Sequence, residues 1–302
     1  MKIKLWGVRG SIPTPGPTTV EFGGNTSCVS VHIGDGDPLI FDCGSGVRLL
    51  GLWLMGQGRP INSNIFISHT HWDHIQGFPF FVPSFIPGNR FRMYGPPSDI
   101  QDRSLKDIMD LQTNYEYFPI SLSQLAADIE YIDAREGRID VDGYQIETCK
   151  TNHPVSCLAY KVTHEGKTYI YGGDHEPYRN IYRDAAAGDE EIDEAVLAEL
   201  DENAAKQNQR IVDFCTGADL VTWDSQYTLE EYEQGKVGWG HSAYEHNLDL
   251  CEKAGIKKML LTHHDPLSPD ERLRERETHY QTLAKDRGLD IAFAREGMEI
   301  EL

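Results

Sequence analysis

The stretch Asn64 to Gly77, NIFISHTHWDHIQG, decides how the rest of the chain is read. Asn64 to Ser68 is a short apolar run in which the β-branched Ile65 and Ile67 suit a buried strand. Four side chains able to hold a metal follow within six residues: His69, His71, Asp73 and His74. His69 and His71 stand two apart, whereas neighbours on one helix face stand three or four apart, so both belong to a loop at the strand's end. Asp73 and His74 come where the chain turns into a helix. One pair can then hold one cation and the other pair a second. Neutral imidazole suits zinc, carboxylate oxygen is an acceptable partner, and a set without thiolates argues against a closed structural zinc site.

The HTHWDH run resembles the metal signature of the metallo-β-lactamase fold superfamily, whose remaining ligands arrive in order as a His, an Asp and a His on later strand ends. Those residue types stand at His153 in TNHP, Asp174 in YGGDHEP and His263 in MLLTHHDP. The resemblance, which covers nearly the whole chain, implies His69, His71 and His153 on one divalent ion. Asp73, His74 and His263 would take a second, with Asp174 bridging. Zinc is the implied metal, with manganese as the alternative.

The elements can be taken outward from there. Lys2 to Val8 reads as a strand and is followed by a Gly/Pro/Thr-rich loop. Ser27 to Ile33 and Pro38 to Asp42 are the next strands, joined by the turn GDGD. Ser45 to Met55 reads as a helix, Arg90 to Tyr94 as a strand, Ile100 to Leu111 as an amphipathic helix and Ile129 to Ile132 as another strand. From Ile139 to Tyr171 the pattern is β-rich, with a hairpin turn at His164 to Lys167 that places His164 in solvent. Residues 184–210 form an acidic, Ala-rich helical insertion with a solvated face. Ala218 to Trp223 and Lys258 to Thr262 are buried strands. A helix starts at Gly240-His241-Ser242 with Ser242 as its cap, Pro269 to Arg287 is a charged helix, and Ile291 to Leu302 is a terminal strand pair. Two β-rich halves, each closing on metal ligands and joined by helices, fit an α/β architecture: one domain over residues 1–302, built as an αββα sandwich of two mixed β-sheets flanked by helices.

Composition narrows the partners. The 302 residues hold 28 Lys plus Arg against 48 Asp plus Glu, a net charge of −20. A surface that acidic disfavours stable nucleic-acid partners and anionic membranes. The six Cys residues, 28, 43, 149, 157, 215 and 251, show no short-spaced framework and read as reduced core thiols. The start MKIKLWGV has no long apolar core, and no run reaches membrane-spanning length. A cytoplasmic location is expected.

The chemistry follows from charge. Two divalent ions, less the charges of Asp73, Asp174 and one hydroxide, leave a surplus of about +1 that attracts a singly charged phosphodiester. Water held by such a pair has its pKa pulled to roughly 7. The leaving alkoxide still needs a proton, which a His held by a carboxylate can give. His241 is the candidate donor and Asp224 its orienting partner, joining Asp73 as the catalytic set. WDSQY and GHSAYEHNLDLCEKAGIKKMLLTHHDP resemble the C-terminal half of the tRNase Z branch, where an acidic residue at a strand end and a HisSer helix start assist phosphodiester cleavage. Asp224 stands where that branch usually has Glu.

The substrate is expected to be small. Only 20 residues separate His153 from Asp174, where the tRNA-processing enzymes insert a long flexible arm. WGVRGSIPTPG with FGGNTSC instead resembles small bacterial and phage phosphodiesterases of the branch, including cyclic-nucleotide phosphodiesterases such as the anti-Pycsar enzymes. A small-molecule nucleotide is therefore the expected substrate, and the branch makes a homodimer plausible. The glycine-flanked Asn25, Thr26 and Ser27 offer backbone N–H groups and hydroxyls for a phosphate, and His264 is a further candidate substrate contact. His175, like His264, follows a ligand and points away from it on extended backbone. A tRNase Z-type endonuclease, a thioester, lactone or β-lactam hydrolase, and a non-catalytic nucleotide-binding protein are the competing readings. A flavodiiron-type redox role is the least supported.

Overall fold

The computed structural model describes residues 1–185 and 192–302. In chain order the first half runs β1 (Lys2–Gly7), β2 (Cys28–His32), β3 (Leu39–Phe41), α1 (Val47–Met55), β4 (Asn62–Phe66), α2 (Trp72–Ile75), β5 (Arg90–Gly95), α3 (Leu105–Gln112) and β6 (Asp128–Asp133). The second half adds β7 (Gly137–Val141), β8 (Tyr144–Lys150), β9 (Leu158–His164), β10 (Lys167–Tyr171), α4 (Ile181–Ala185), α5 (Glu194–Cys215), β11 (Leu220–Asp224) and α6 (Leu229–Glu233). The chain closes with α7 (Tyr244–Ala254), β12 (Met259–Thr262), α8 (Asp270–Asp286), β13 (Ile291–Phe293) and β14 (Glu299–Glu301).

The strands form two seven-stranded sheets, ordered β14-β1-β2-β3-β4-β5-β6 and β13-β12-β11-β10-β9-β8-β7. Each begins as an antiparallel meander and continues as parallel strands from β3 or β10 onward. Side chains alternate across the pleat. Tyr169 and Tyr171 of β10, Leu220 of β11 and Leu260 of β12 face the first sheet, while Ile170, Val221, Met259 and Leu261 face the helices. Between the sheets Phe41 and Phe66 stack at 5.2 Å and meet Tyr160 and Tyr171 from the other side. Burying each of these rings contributes roughly 2–3 kcal/mol. The hydroxyls of these two tyrosines are satisfied, Tyr160 donating to the Ile67 carbonyl and Tyr171 to Asp42. Outside the first sheet lie α1, α3 and the Phe78–Phe85 segment, and outside the second lie the end of α5, α7 and α8. The αββα sandwich of mixed sheets expected from the sequence is the architecture found.

Several local expectations need correcting. The terminal strands do not pair with each other: β13 adds parallel to β12 and β14 adds antiparallel to β1, so the C-terminus ties the two sheets together. The helix expected from Ile100 starts at Leu105, because Ser104 and Asp107 form a capping box there. Ser242 does not cap α7, whose N-cap is Ala243. Its hydroxyl donates to the His175 carbonyl instead. His164 is half-buried against Tyr144 rather than free in solvent. The acidic stretch is the crossover helix α5, which continues to Cys215, with Ile211 and Cys215 in the core. Residues 186–191 of that stretch lie outside the described residues. Among the described residues no helix is long and apolar enough to cross a membrane.

Candidate metal centre

The site lies beyond the carboxyl ends of β4, β8, β10, β11 and β12, where open α/β sheets gather their functional side chains. β4 stops at Phe66, the Ile67 amide donates to the Tyr94 carbonyl, and the Ser68 amide and hydroxyl donate to Asp42 at 2.6 and 2.7 Å. Those bonds start the loop that carries His69 and His71. The single turn of α2 then presents Asp73 and His74. Gly173, at φ +60°, turns the chain after β10 and delivers Asp174.

The structure brings all seven expected ligands together. His69, His71, His153 and Asp174 form one cluster and Asp73, His74, Asp174 and His263 another, with donor atoms in each within 4.8 Å of one another. In the first, His153 Nε2 is 2.9 Å from His71 Nδ1 and His69 Nε2 is 3.5 Å from Asp174 Oδ2. In the second, His263 Nε2 is 3.0 Å from Asp73 Oδ2 and 3.3 Å from His74 Nε2. Asp174 Oδ2 also lies 3.3 Å from His74 and 3.4 Å from His263, so one carboxylate joins both groups. The groups fit divalent cations. His69 Nε2 and Asp174 Oδ1 are buried without a hydrogen-bond partner among the described residues, and every converging donor is N or O. Cys157 Sγ stands 3.7 Å from His69 on its Nδ1 side, away from the converging atoms.

The two groups differ electrostatically. Burial pushes His69 well below the ordinary imidazole value, lowers His71 and takes His153 to about 4, so this trio offers free lone pairs at neutral pH. Burial would depress His74 and His263 as well, yet Asp174 and Asp73 hold His74 well above its ordinary value and His263 at about 9. The second group thus attracts a positive charge, whether proton or metal. Outer contacts fix the rings. Asp42 Oδ2 is 2.6 Å from His74 Nδ1, and the Gly240 carbonyl is 2.9 Å from His153 Nδ1.

His241 and Asp224 complete the arrangement. Asp224, fully buried, places Oδ2 3.0 Å from His241 Nδ1 and Oδ1 3.6 Å from His263 Nδ1. The amides of His175 and Ser242 also donate to Oδ2, at 3.2 and 3.3 Å. Burial raises the Asp224 carboxyl while His241 opposes that rise. A cavity of about 410 Å³ opens over the cluster, lined by Ser11, Thr70, His71, Trp72, Asp73, Asp174 and His241.

The sequence profile of the β-lactamase superfamily domain matches residues 39–264, which hold all these ligands. The chain belongs to the β-lactamase superfamily. As a member of it, the protein is a metal-dependent hydrolase. A curated ribonuclease Z from Archaeoglobus fulgidus is 25% identical over 286 residues, covering 87% of this chain and 86% of the relative. The crystal structure of the metallo-β-lactamase fold protein YhfI from Bacillus subtilis superposes with a TM-score of 0.65 at 20% identity, covering 100% of this chain and 99% of YhfI. A diphosphatase from the PhnP family gives a TM-score of 0.63 at 16% identity, covering 100% and 97% of the two chains.

Four proposed substrate contacts are not presented to this superfamily centre. His264 is fully buried, its Nε2 donates to the Ala294 carbonyl at 2.8 Å, and its ring stacks on Phe293. Thr26 and Ser27 are buried, Thr26 Oγ1 accepts from the Ser45 amide, and Asn25 is held by Glu296 and Ser45. Asn25 and Thr26 thus clamp the loop to Glu296 and Ser45. Conversely, sequence reasoning passed over Asp42, treated only as a strand end, and Glu176. The buried Glu176 carboxylate accepts from Tyr232 Oη at 2.6 Å and from the Gly238 and Gly240 amides at 2.8 Å each. A carboxylate directly after an apolar strand, as in FDCG, was the available signal for Asp42. Glu176 had none.

Proposed function

We propose that this hydrolase cleaves a small phosphodiester in the cytoplasm, a cyclic nucleotide foremost, with the two clusters holding a pair of divalent ions, zinc above manganese. Bound there, the ions supply Lewis acidity and lower the pKa of a coordinated water to roughly 7. The observation that carries the reading is the buried Asp224 against His241, whose ring faces the same cavity as Asp174. With Nδ1–H donated to Asp224, Nε2 is the nitrogen that delivers a proton to the leaving oxygen. A carbonyl substrate with a good leaving group has less need of that pair. The cavity has the scale of small-ligand sites. On its wall Trp72 is 79% exposed, a free face on which a nucleobase can stack. The six buried free thiols agree with a reducing compartment.

The near full-length similarity to ribonuclease Z favours a second reading, endonucleolytic trimming of RNA. Two features weigh against it: the net charge of −20, and the tight β9–β10 turn at Glu165-Gly166, both at positive φ, which leaves no inserted arm. The deciding experiment is a panel of cyclic nucleotides, bis(p-nitrophenyl) phosphate, precursor tRNA, a thioester and a lactone on metal-loaded protein. Turnover of cyclic nucleotides is expected, and exclusive turnover of the thioester or lactone would reject the reading. His241→Ala should keep its metal and lose roughly 10²–10⁴ in kcat. Full activity of that variant on a diester with a poor leaving group removes the proton-donor role.

A further inference from the structure

Ser11, in the segment after β1, holds a left-handed backbone conformation. Its φ is +65°, and the Ile12 amide donates to the Gly10 carbonyl at 2.7 Å across it. That closes a γ-turn of the left-handed, strained kind, rare for a side chain other than Gly. The turn has two consequences. It directs the Ser11 amide onto Asp73 Oδ2 at 2.7 Å, and it brings Ser11 to the wall of the cavity that holds His71, Asp73, Asp174 and His241.

The hydroxyl is prepared from behind. Gln226, 2% exposed and following β11 in the WDSQY run, places Nε2 3.3 Å from Ser11 Oγ. An amide nitrogen can only donate, so Oγ accepts there and its own proton is left for another partner. Gln226 Oε1, also buried, has no hydrogen-bond partner among the described residues. A strained turn, a hydroxyl with its proton uncommitted and a buried amide with one open acceptor converge on one side of the cavity.

We propose that Ser11 binds substrate, donating its hydroxyl to a non-bridging phosphoryl oxygen, and that Gln226 is the positioning residue that sets the hydroxyl's direction. This deepens the phosphodiesterase reading and rests on it. A phosphodiester keeps two non-bridging oxygens beside the bridging one, so it can offer an acceptor to a hydroxyl on the wall that Ser11 shares with Asp174 and His241. The role is distinct from metal binding, because the Asp73 contact uses the backbone amide that every residue except proline has.

The test uses metal-loaded full-length protein, inorganic phosphate as the binding probe and bis(p-nitrophenyl) phosphate as substrate. Ser11→Gly removes the hydroxyl and relieves the turn, and Gln226→Met removes the amide at similar volume. Ser11→Gly should weaken phosphate binding about tenfold and raise KM by a like factor, with metal content and melting temperature held or raised. Gln226→Met should shift the same two quantities in the same direction by less. Ser11→Gly with unchanged phosphate affinity overturns the proposal, and so does an affinity loss that tracks loss of metal. A wild-type protein that binds phosphate yet leaves the diester intact counts against the phosphodiesterase reading, while the phosphate titration still decides the role of Ser11.

Discussion

Gly10 owes its place to the ring beside it. A Cβ built on Gly10 would lie 2.3 Å from His263 Nδ1 and 2.4 Å from Cε1, far inside any real contact. His263 itself holds φ at +62°, so its backbone has little freedom to retreat. Gly10→Ala should therefore push His263 off the second cluster. The expected result is a loss of about 10² or more in kcat, with weakened binding of one ion of the pair, read by metal titration. Two tight ions and full turnover would show that the ring can move freely. His32, far from the centre, gives a stability prediction. Burial, aided by Lys2, takes its pKa from 6.5 to about 4, and its Nε2 is 2.9 Å from Ser30 Oγ. The unfolded chain binds the extra proton between those values, so this group's contribution is full above about pH 6.5 and falls as pH drops toward 4. His32→Gln should flatten that part of the curve of denaturation midpoint against pH. Four ligands were legible because HxHxDH packs four donors into six positions and the other three because their order resembles the superfamily's, whereas the contact of Gly10 with His263 exists only across the fold.

At the scale of elements, ligands sit where strands end, and strands are readable from apolar runs. That is why β4, β10, β11 and β12 could be placed before their partners were known. The loop Gly238 to Ser242 could not. It joins α6 to α7, carries His241, and offers the Gly240 carbonyl to His153. Its shape depends on Glu176, sixty-four residues from Gly240 in sequence, which gathers Tyr232 and two loop amides. The cap assigned to Ser242 failed for a similar reason: its hydroxyl is drawn to the His175 carbonyl, a partner no local pattern announces. Glu176→Ala should free the loop and leave two amides unpaired, lowering kcat roughly tenfold to a hundredfold and weakening the first cluster through His153. Tyr232→Phe removes one donor to that carboxylate and should show a smaller loss of the same kind. Unaltered kinetics in Glu176→Ala would mean the loop is held by its own turns.

At the scale of the whole molecule, the architecture was readable because two β-rich halves each close on ligands, and because the order of those ligands from residue 69 to residue 263 resembles that of the superfamily. The split of β13 and β14 between the sheets was not readable, since short terminal strands carry no mark of which sheet they join. Charge acts at this scale too. A chain of net charge −20 would repel the proposed anionic substrate at long range, while a cavity loaded with divalent ions would attract it at short range. Added salt screens the long-range part first, because the Debye length is about 8–10 Å near physiological strength. For a monoanionic cyclic nucleotide, kcat/KM should then rise about twofold to fivefold between about 20 and about 300 mM salt. An enzyme that holds RNA along its phosphates would do the opposite, releasing counterions on binding and losing affinity steeply over that range. Steady-state kinetics across a salt series therefore separates the two readings. A fall of more than about tenfold would place the binding energy on a polyanion and set the cyclic-nucleotide reading aside.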